Sequence, residues 1–232
     1  MNRTNFFDKQ HLLNICGMIA IITVTLFSCA SGPVIRHKTQ ALYGMIYDRD
    51  NRPVTNAAVY VNGKYQVSSD INGHFTIPDM KPKLSYAVSV EKQNYKTITL
   101  TISYMDPSYI LYIHMPSGDQ LLSEAESAIK EKDWQKAESF LEEAGKAGVD
   151  AVSSGFLRAI LAYSREQYDD ALEILLELTE IEKNAPYLYL FIADIYQYKT
   201  SNPGKSRDYL EKFLELSRNE DVEKRLTALS AQ

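Results

Sequence analysis

The chain has 232 residues, of which 45% are hydrophobic and 24% charged, and a formal net charge of −5. That apolar share supports packed cores, and ~200–230 residues leave room for two small domains. The negative balance excludes the basic face that nucleic-acid phosphates demand, and sixteen tyrosines against one tryptophan point to β structure, interfaces or both.

The first predicted element is an export leader. Residues 1–11 carry Arg3, Lys9 and His11, and Leu12 to Phe27 follow as sixteen residues without a charge. As a helix this run reaches ~24 Å, short of a ~30 Å hydrocarbon core, which fits a secretory h-region better than a membrane span. It ends in Leu26-Phe27-Ser28-Cys29-Ala30-Ser31. This segment resembles the lipobox of bacterial lipoproteins, with Leu26 at −3 and Ser28 at −1 before Cys29. The resemblance implies cleavage before Cys29 and acyl chains on its thiol and new amino group, a firm anchor at ~0.8 kcal/mol per buried CH₂. The alternative is an uncleaved signal anchor with an incidental cysteine. The only other cysteine, Cys16, lies in the leader. The mature chain then holds one thiol and no internal disulfide, and acylation accounts for it. Losing Arg3, Asp8 and Lys9 with the leader takes the net charge to −6. Ala30 to Gln40 reads as a tether of at most ~36 Å. Ala30 stands where, under the enteric-type sorting rule, an aspartate would favour inner-membrane retention, so the expected location is the cell envelope, with the outer membrane favoured.

Residues 41–116 alternate with period two, and turn signals interrupt them every eight to twelve residues, the pattern of a small β-sandwich. Strands are predicted near 41–48, 57–61, 64–69, 73–77, 84–92, 95–103 and 108–115. Asn62-Gly63 is a hairpin signal, because a type I′ turn needs positive φ at both central residues. Val59, Val61, Phe75, Ile77, Val88, Val90, Ile98, Leu100, Ile110 and Tyr112 are expected to point inward. Gly44-Met45-Ile46-Tyr47-Asp48, Pro53, Ala58-Val59-Tyr60-Val61, Ser69-Asp70-Ile71-Asn72-Gly73-His74-Phe75, Pro82 to Tyr86 and Asn94-Tyr95 resemble the carboxypeptidase regulatory-like (transthyretin-like) domain. That implies a seven-stranded Greek-key sandwich without a catalytic role of its own. Asp70, Asn72 and His74 faintly echo a calcium loop but lack its distal glutamate. The competing reading is a turn in which Asp70 or Asn72 bonds its own backbone and Gly73 takes positive φ.

From Ser117 the period becomes 3.6 and Glu, Lys, Leu and Ala dominate. Asp119 is the expected cap of a helix over 120–131, and further helices are predicted at 134–146, 152–165, 168–182, 186–198, 203–217 and 220–230. Trp134 and Tyr168 are 34 apart, as are Ala137 and Ala171, and Ala125, Ala159 and Ala193 share the same interval. Ser206 stands one residue late at the third Ala137/Ala171 position. These spacings resemble the tetratricopeptide repeat, a 34-residue helix pair in which small residues let two helices approach and an aromatic fills the turn. About three repeats and a capping helix over 220–230 are expected.

The resemblance implies that the first helix of each pair lines a concave groove. Its family positions fall on Asp119, Leu122, Glu126, Ile129 and Lys130, then on Ser153, Phe156, Ile160, Tyr163 and Ser164. In the third unit they fall on Tyr187, Leu190, Asp194, Gln197 and Tyr198. A protein or peptide partner is expected at Phe156, Tyr163, Tyr187, Asp194, Gln197 and Tyr198, aromatics being enriched where proteins meet. Any of these tyrosines could instead pack between helices. The Lys/Asn clamp that chaperone-binding relatives place on a terminal carboxylate is missing.

No catalytic pattern competes. After the leader the histidines are His37, His74 and His114, scattered rather than at metal-ligand spacing. There is no Gly-x-Ser-x-Gly, and no phosphate-binding glycine loop. The chain is therefore expected to combine an all-β with an all-α domain: a leader over 1–28, a lipidated cysteine and tether over 29–40, a sandwich over 41–116 and repeats over 117–232. It is expected to use no cofactor or metal, and to act as a membrane-anchored scaffold. The alternative is an accessory lipoprotein binding a glycan or small ligand.

Overall fold

A computed structural model describes residues 39–230. The expected leader, the lipidation at Cys29 and nearly all of the tether lie outside the described residues. Seven strands are followed by seven helices. The strands are β1 Gln40–Tyr47, β2 Ala58–Val61, β3 Lys64–Ser68, β4 His74–Met80, β5 Leu84–Glu91, β6 Ile98–Tyr104 and β7 Ile110–His114. They form a three-stranded sheet of order β4-β1-β7 and a four-stranded sheet of order β3-β2-β5-β6. β1 runs antiparallel to β4 and parallel to β7.

The core lies between the inner faces of the two sheets, where Leu42, Ile46, Phe75, Ile77, Leu111 and Ile113 meet Val59, Val88, Val90, Ile102 and Tyr104. Tyr104 is fully buried, and its hydroxyl donates to the Ala41 carbonyl at 3.0 Å, tying the end of β6 to the start of β1. Gly44 lies opposite Phe75 in the β1–β4 register. A methyl on Gly44 would sit 2.1 Å from Phe75 Cζ, so the ring lies over the bare backbone. Asn62 (φ 50°) and Gly63 (φ 76°) make the expected hairpin turn. Asn62 also accepts the Ala87 N–H through Oδ1 at 3.0 Å, pinning the turn to β5.

The phase of β7 differs from expectation. Ile110 and Tyr112 face outward at 40% and 61% exposure, and Leu111 and Ile113 fill the core. The run Ile-Leu-Tyr-Ile is apolar in both phases, so alternation cannot choose its face. The parallel register with β1 does, placing Leu111 beside Gly44 and Ile113 beside Ile46. On β6, Ile98 and Leu100 share the inward phase but pack only partly, and burial is complete at Ile102 and Tyr104.

The helices are α1 Gly118–Lys130, α2 Trp134–Ala147, α3 Ala151–Ser164, α4 Tyr168–Ile181, α5 Pro186–Tyr198, α6 Pro203–Leu216 and α7 Glu220–Ser230. Ser117, not Asp119, caps α1. Its Oγ accepts from Gln120 N while Gln120 Oε1 accepts from Ser117 N, a reciprocal box that satisfies two otherwise orphaned donors. Asp119 falls in the first turn, where its charge suits the helix dipole. Asp133, Asp150 and Asn202 cap α2, α3 and α6.

The helices pack as successive antiparallel pairs, α1 on α2, α3 on α4 and α5 on α6, with α2–α3, α4–α5 and α6–α7 joining neighbours. Small residues sit where the pairs close: Ala125, Ala137, Ala159, Ala171, Ala193 and Ser206 are all fully buried. Any larger side chain there would force the axes apart, so the 34-residue interval is a packing constraint. Among the described residues, no helix is long and apolar enough to cross a membrane.

The sandwich abuts the first helix pair. Arg49 pairs with Glu124 and lies 5.4 Å from the Phe140 ring, and Lys96 pairs with Glu143 at 2.7 Å. Gly118 N donates to Asn94 O at 2.8 Å. A Cβ on Gly118 would meet Val149 at 2.3 Å, so glycine is what lets the start of α1 pack on the loop between α2 and α3.

Candidate functional site

The first helices of the pairs, α1, α3 and α5, carry the residues singled out from sequence. In the first pair they do not form a surface of one kind. Ile129 is buried in the core and Leu122 packs partly against it. Glu126 and Lys130 form an exposed i,i+4 ion pair at 2.7 Å, which contributes only ~0.3–0.5 kcal/mol. Ile129 is thus a core residue, because the apolar stripe of α1 turns toward α2 and Leu161.

Between α3 and α5 the picture is more coherent. Phe156 meets Tyr187 edge to face at 5.1 Å and Phe191 at 5.9 Å. Tyr163, two turns along α3, meets Phe191 at 5.3 Å and Tyr168 at 5.6 Å. Phe191 is therefore the hinge of a continuous aromatic row. Each edge-to-face pair is worth ~0.5–1.5 kcal/mol beyond burial, so the row both joins two repeats and presents a surface. Tyr187, on α5, remains 45% exposed, and Ser153 and Ile160 lie on α3 with Phe156 and Tyr163. Lys199 Nζ lies 5.3 Å from the Tyr163 ring and 5.5 Å from that of Tyr168. Hydrogen bonding to the Tyr163 hydroxyl pushes the Lys199 ammonium above its usual pKa.

Asp194, Gln197 and Tyr198 form a separate group whose organiser is Arg225, on α7. Its guanidinium donates to Asp194 Oδ1 at 2.6 Å and to Gln197 Oε1, and stacks 4.9 Å from the Tyr198 ring. The structure thus brings Phe156, Tyr163 and Tyr187 into one row, and assigns Asp194, Gln197 and Tyr198 to the seam between the third pair and the terminal helix. Sequence reasoning missed Phe191, Lys199 and Arg225, and took Tyr168 only as the aromatic that fills the turn. Phe191 was within reach of it, four residues after Tyr187 on the same helix. Arg225 was not, because its partners lie about thirty residues away.

The aromatic row does not coincide with a cleft among the described residues. That cleft, of about 1000 Å³, is lined by Asp48, Arg49, Asp50, Gln120, Glu124 and Asp150, among others, where the sandwich meets α1 and α3. Several of its polar groups are already bonded to one another or to nearby backbone. Asp48 Oδ1 accepts from Asp50 N and Arg52 N, Gln120 Nε2 donates to Asp50, and Asp150 accepts from Ser153 N. A site of this composition lacks the apolar lining of ligand pockets. It serves as a joint.

The Asp70 loop is a self-bonded turn. Asp70 Oδ1 accepts the N–H groups of Asn72 and His74, both at 2.8 Å, and the His74 bond is the main reason the carboxyl pKa falls below its usual value. Gly73 takes φ 77°, and a Cβ there would strike the Ile46 carbonyl at 2.4 Å. Among the described residues, no group of three or more His, Cys, Asp or Glu could hold a metal ion.

No protein-family model and no curated protein matches the chain. Among solved structures it is similar to the N-terminal domain of stress-induced protein-1 (STI-1) from C. elegans, at 14% identity over 49% of this chain and 94% of that one, with a TM-score of 0.43. It is similar to the Arabidopsis OM64 TPR (tetratricopeptide-repeat) domain at 21% identity, over 47% and 93%, with a TM-score of 0.40. It is also similar to YrrB, a TPR protein with an unusual peptide-binding site, at 16% identity, over 48% and 57%, with a TM-score of 0.41. These likenesses are partial, and the helical-repeat assignment rests on the serial pairing of α1 to α7 and the buried small residues between them.

Proposed function

We propose that the chain is a lipid-anchored, non-catalytic envelope protein whose helical repeats hold a protein or peptide partner along the row Tyr187–Phe156–Phe191–Tyr163. The observation that carries this reading is an aromatic row spanning two repeats, in which Phe156, Tyr163 and Phe191 pack partly against the core and Tyr187 stands 45% exposed. Aromatic side chains supply large contact area at low entropic cost. The rings meet edge to face with one another, and aromatic residues are enriched where proteins meet, so a protein partner is favoured over a glycan. The sandwich is read as a carboxypeptidase regulatory-like domain acting as a spacer. Support for this comes from its motif residues: Gly44 and Phe75 touch, and Gly73 is hydrogen-bonded to Ile46. The anchor is read from the lipobox at Cys29.

The test is in-cell crosslinking with mass spectrometry, comparing the native chain with Phe156→Ala/Tyr187→Ala. With helicity retained, loss of a specific crosslinked protein supports the proposal, and an unchanged set of partners overturns it. A thermal shift with oligosaccharides that the variant abolishes would favour the glycan reading. Intact mass of the membrane-extracted chain, against Cys29→Ser, tests the anchor.

A further inference from the structure

The two ends of the sandwich differ in chemistry. One end faces the helices: β1 finishes there at Tyr47, and the Asp70 turn and the Tyr95–Ser117 bridge lie beside it. The opposite end is where the chain enters at Thr39–Gln40. The register places the finish of β4 there, with Gln40 opposite Met80, and the start of β7, with Ile110 opposite Tyr43. The second sheet reaches the same end, because Leu84 pairs with Tyr104 and the Tyr104 hydroxyl bonds Ala41 O. At ~3.3 Å per residue, the eight residues of β1 separate the two ends by ~23 Å.

The entry end is apolar and exposed. Tyr43 is 50% exposed, Leu84 47%, Met105 60%, Tyr109 39% and Ile110 40%. Among the described residues no element covers them, and the loop from Met105 to Tyr109 crosses from one sheet to the other over this end. The nearby charges cancel, with Lys81 and Lys83 against Asp79 and Asp106. A cluster of tyrosines with aliphatic neighbours and no net charge has the composition of protein surfaces that settle at the headgroup level of a bilayer. The sequence before this end sharpens the point. From Ala30 to Gln40 there are eleven residues, at most ~36 Å of chain after Cys29.

We propose that this end of the sandwich rests on the lipid surface, with Met105 and Tyr109 at the headgroup level. The helical row is then held away from the membrane by the length of the sandwich. This inference rests on the anchoring of Cys29 proposed above.

The test uses the full acylated chain in phosphatidylcholine vesicles that carry a nitroxide lipid. A fluorophore is attached at Met105→Cys or, as control, at Ile71→Cys. Ile71 is an apolar residue, 80% exposed against 60% for Met105, and belongs to the turn at the far end. Quenching by the nitroxide lipid severalfold stronger at 105 than at 71, and unchanged between 0.1 and 1 M salt as an apolar contact requires, supports the proposal. Equal quenching at the two positions with Cys29 acylated overturns it while leaving the anchor intact. A blue-shifted label at 105 without lipid quenching means that a second protein copy covers the end, which also overturns it. An unmodified Cys29 in the intact mass removes the anchor reading and this inference together.

Discussion

Ser206 sits where the first two repeats place Ala137 and Ala171. It is fully buried, and its hydroxyl has no hydrogen-bond partner. Replacing it with alanine removes one desolvated polar group, worth ~1–3 kcal/mol when left unsatisfied. The change also gains a few tenths of a kcal/mol of helix propensity and loses little packing, since the β-carbon stays. The net expectation is stabilisation by about 1–2 kcal/mol. For a unit of this size that raises Tm by ~2–8 °C. Urea unfolding followed by helical circular dichroism measures it, with an unchanged slope indicating unchanged exposure on unfolding. The reciprocal change, Ala171→Ser, should destabilise by ~1 kcal/mol or more, and Ser206→Leu by ~1–3 kcal/mol through overpacking. A Ser206→Ala protein less stable than the native one would refute the reasoning, because it would mean that the hydroxyl bonds a backbone carbonyl and the position is not a purely steric gap.

Three further outcomes are expected. Gly44→Val should destabilise the sandwich by ~1–3 kcal/mol, because its side chain enters the Phe75 ring. In a double-mutant cycle with Phe75→Leu, the cost should fall well below the sum, and strict additivity would argue against the contact. Arg225→Ala should cost ~1 kcal/mol, since the ion pair with Asp194 is only partly buried, and hydrogen exchange should quicken in α7 before the other helices. Asp150, the α3 cap, has its pKa lowered by hydrogen bonding to Ser153 N. Its contribution is therefore present above the unfolded aspartate value of ~3.9 and is lost as pH falls through the lower folded value. Asp150→Asn should keep the cap yet flatten that acid limb of a pH–stability profile, whereas Asp150→Ala should lose ~1 kcal/mol at neutral pH.

Much of this fold was legible because two independent signals agreed wherever it was read well. The helices from Trp134 to Tyr198 combined a 3.6-residue apolar period with a fixed interval between small residues, and their ends fell within a residue or so of expectation. Asn62-Gly63 carried its own dihedral requirement. β7 failed because its sequence is apolar on both faces, and only its pairing with β1 could set the phase. The α1 cap shifted from Asp119 to Ser117 because the Gln120 side chain reaches back, a three-residue pattern that single-residue preference overlooks. For the site, the placement of Phe156 and Tyr187 on the first helices of adjacent repeats was legible, and their ring contact came from the packing of α3 on α5. The capture of Asp194 and Gln197 by Arg225 is a long-range charge contact, and periodicity carries no information about which cation a carboxylate finds.

The most direct test of the binding claim is site-specific photocrosslinking in cells. A photoreactive phenylalanine analogue replaces Tyr187 on the aromatic row or, as control, the more exposed Ile181, which ends α4 outside that row. The account predicts a discrete protein adduct from position 187 that is absent from 181 and disappears when Phe156→Ala is added. Adducts of equal yield at both positions, or none at 187 in cells that express the folded chain, would contradict it.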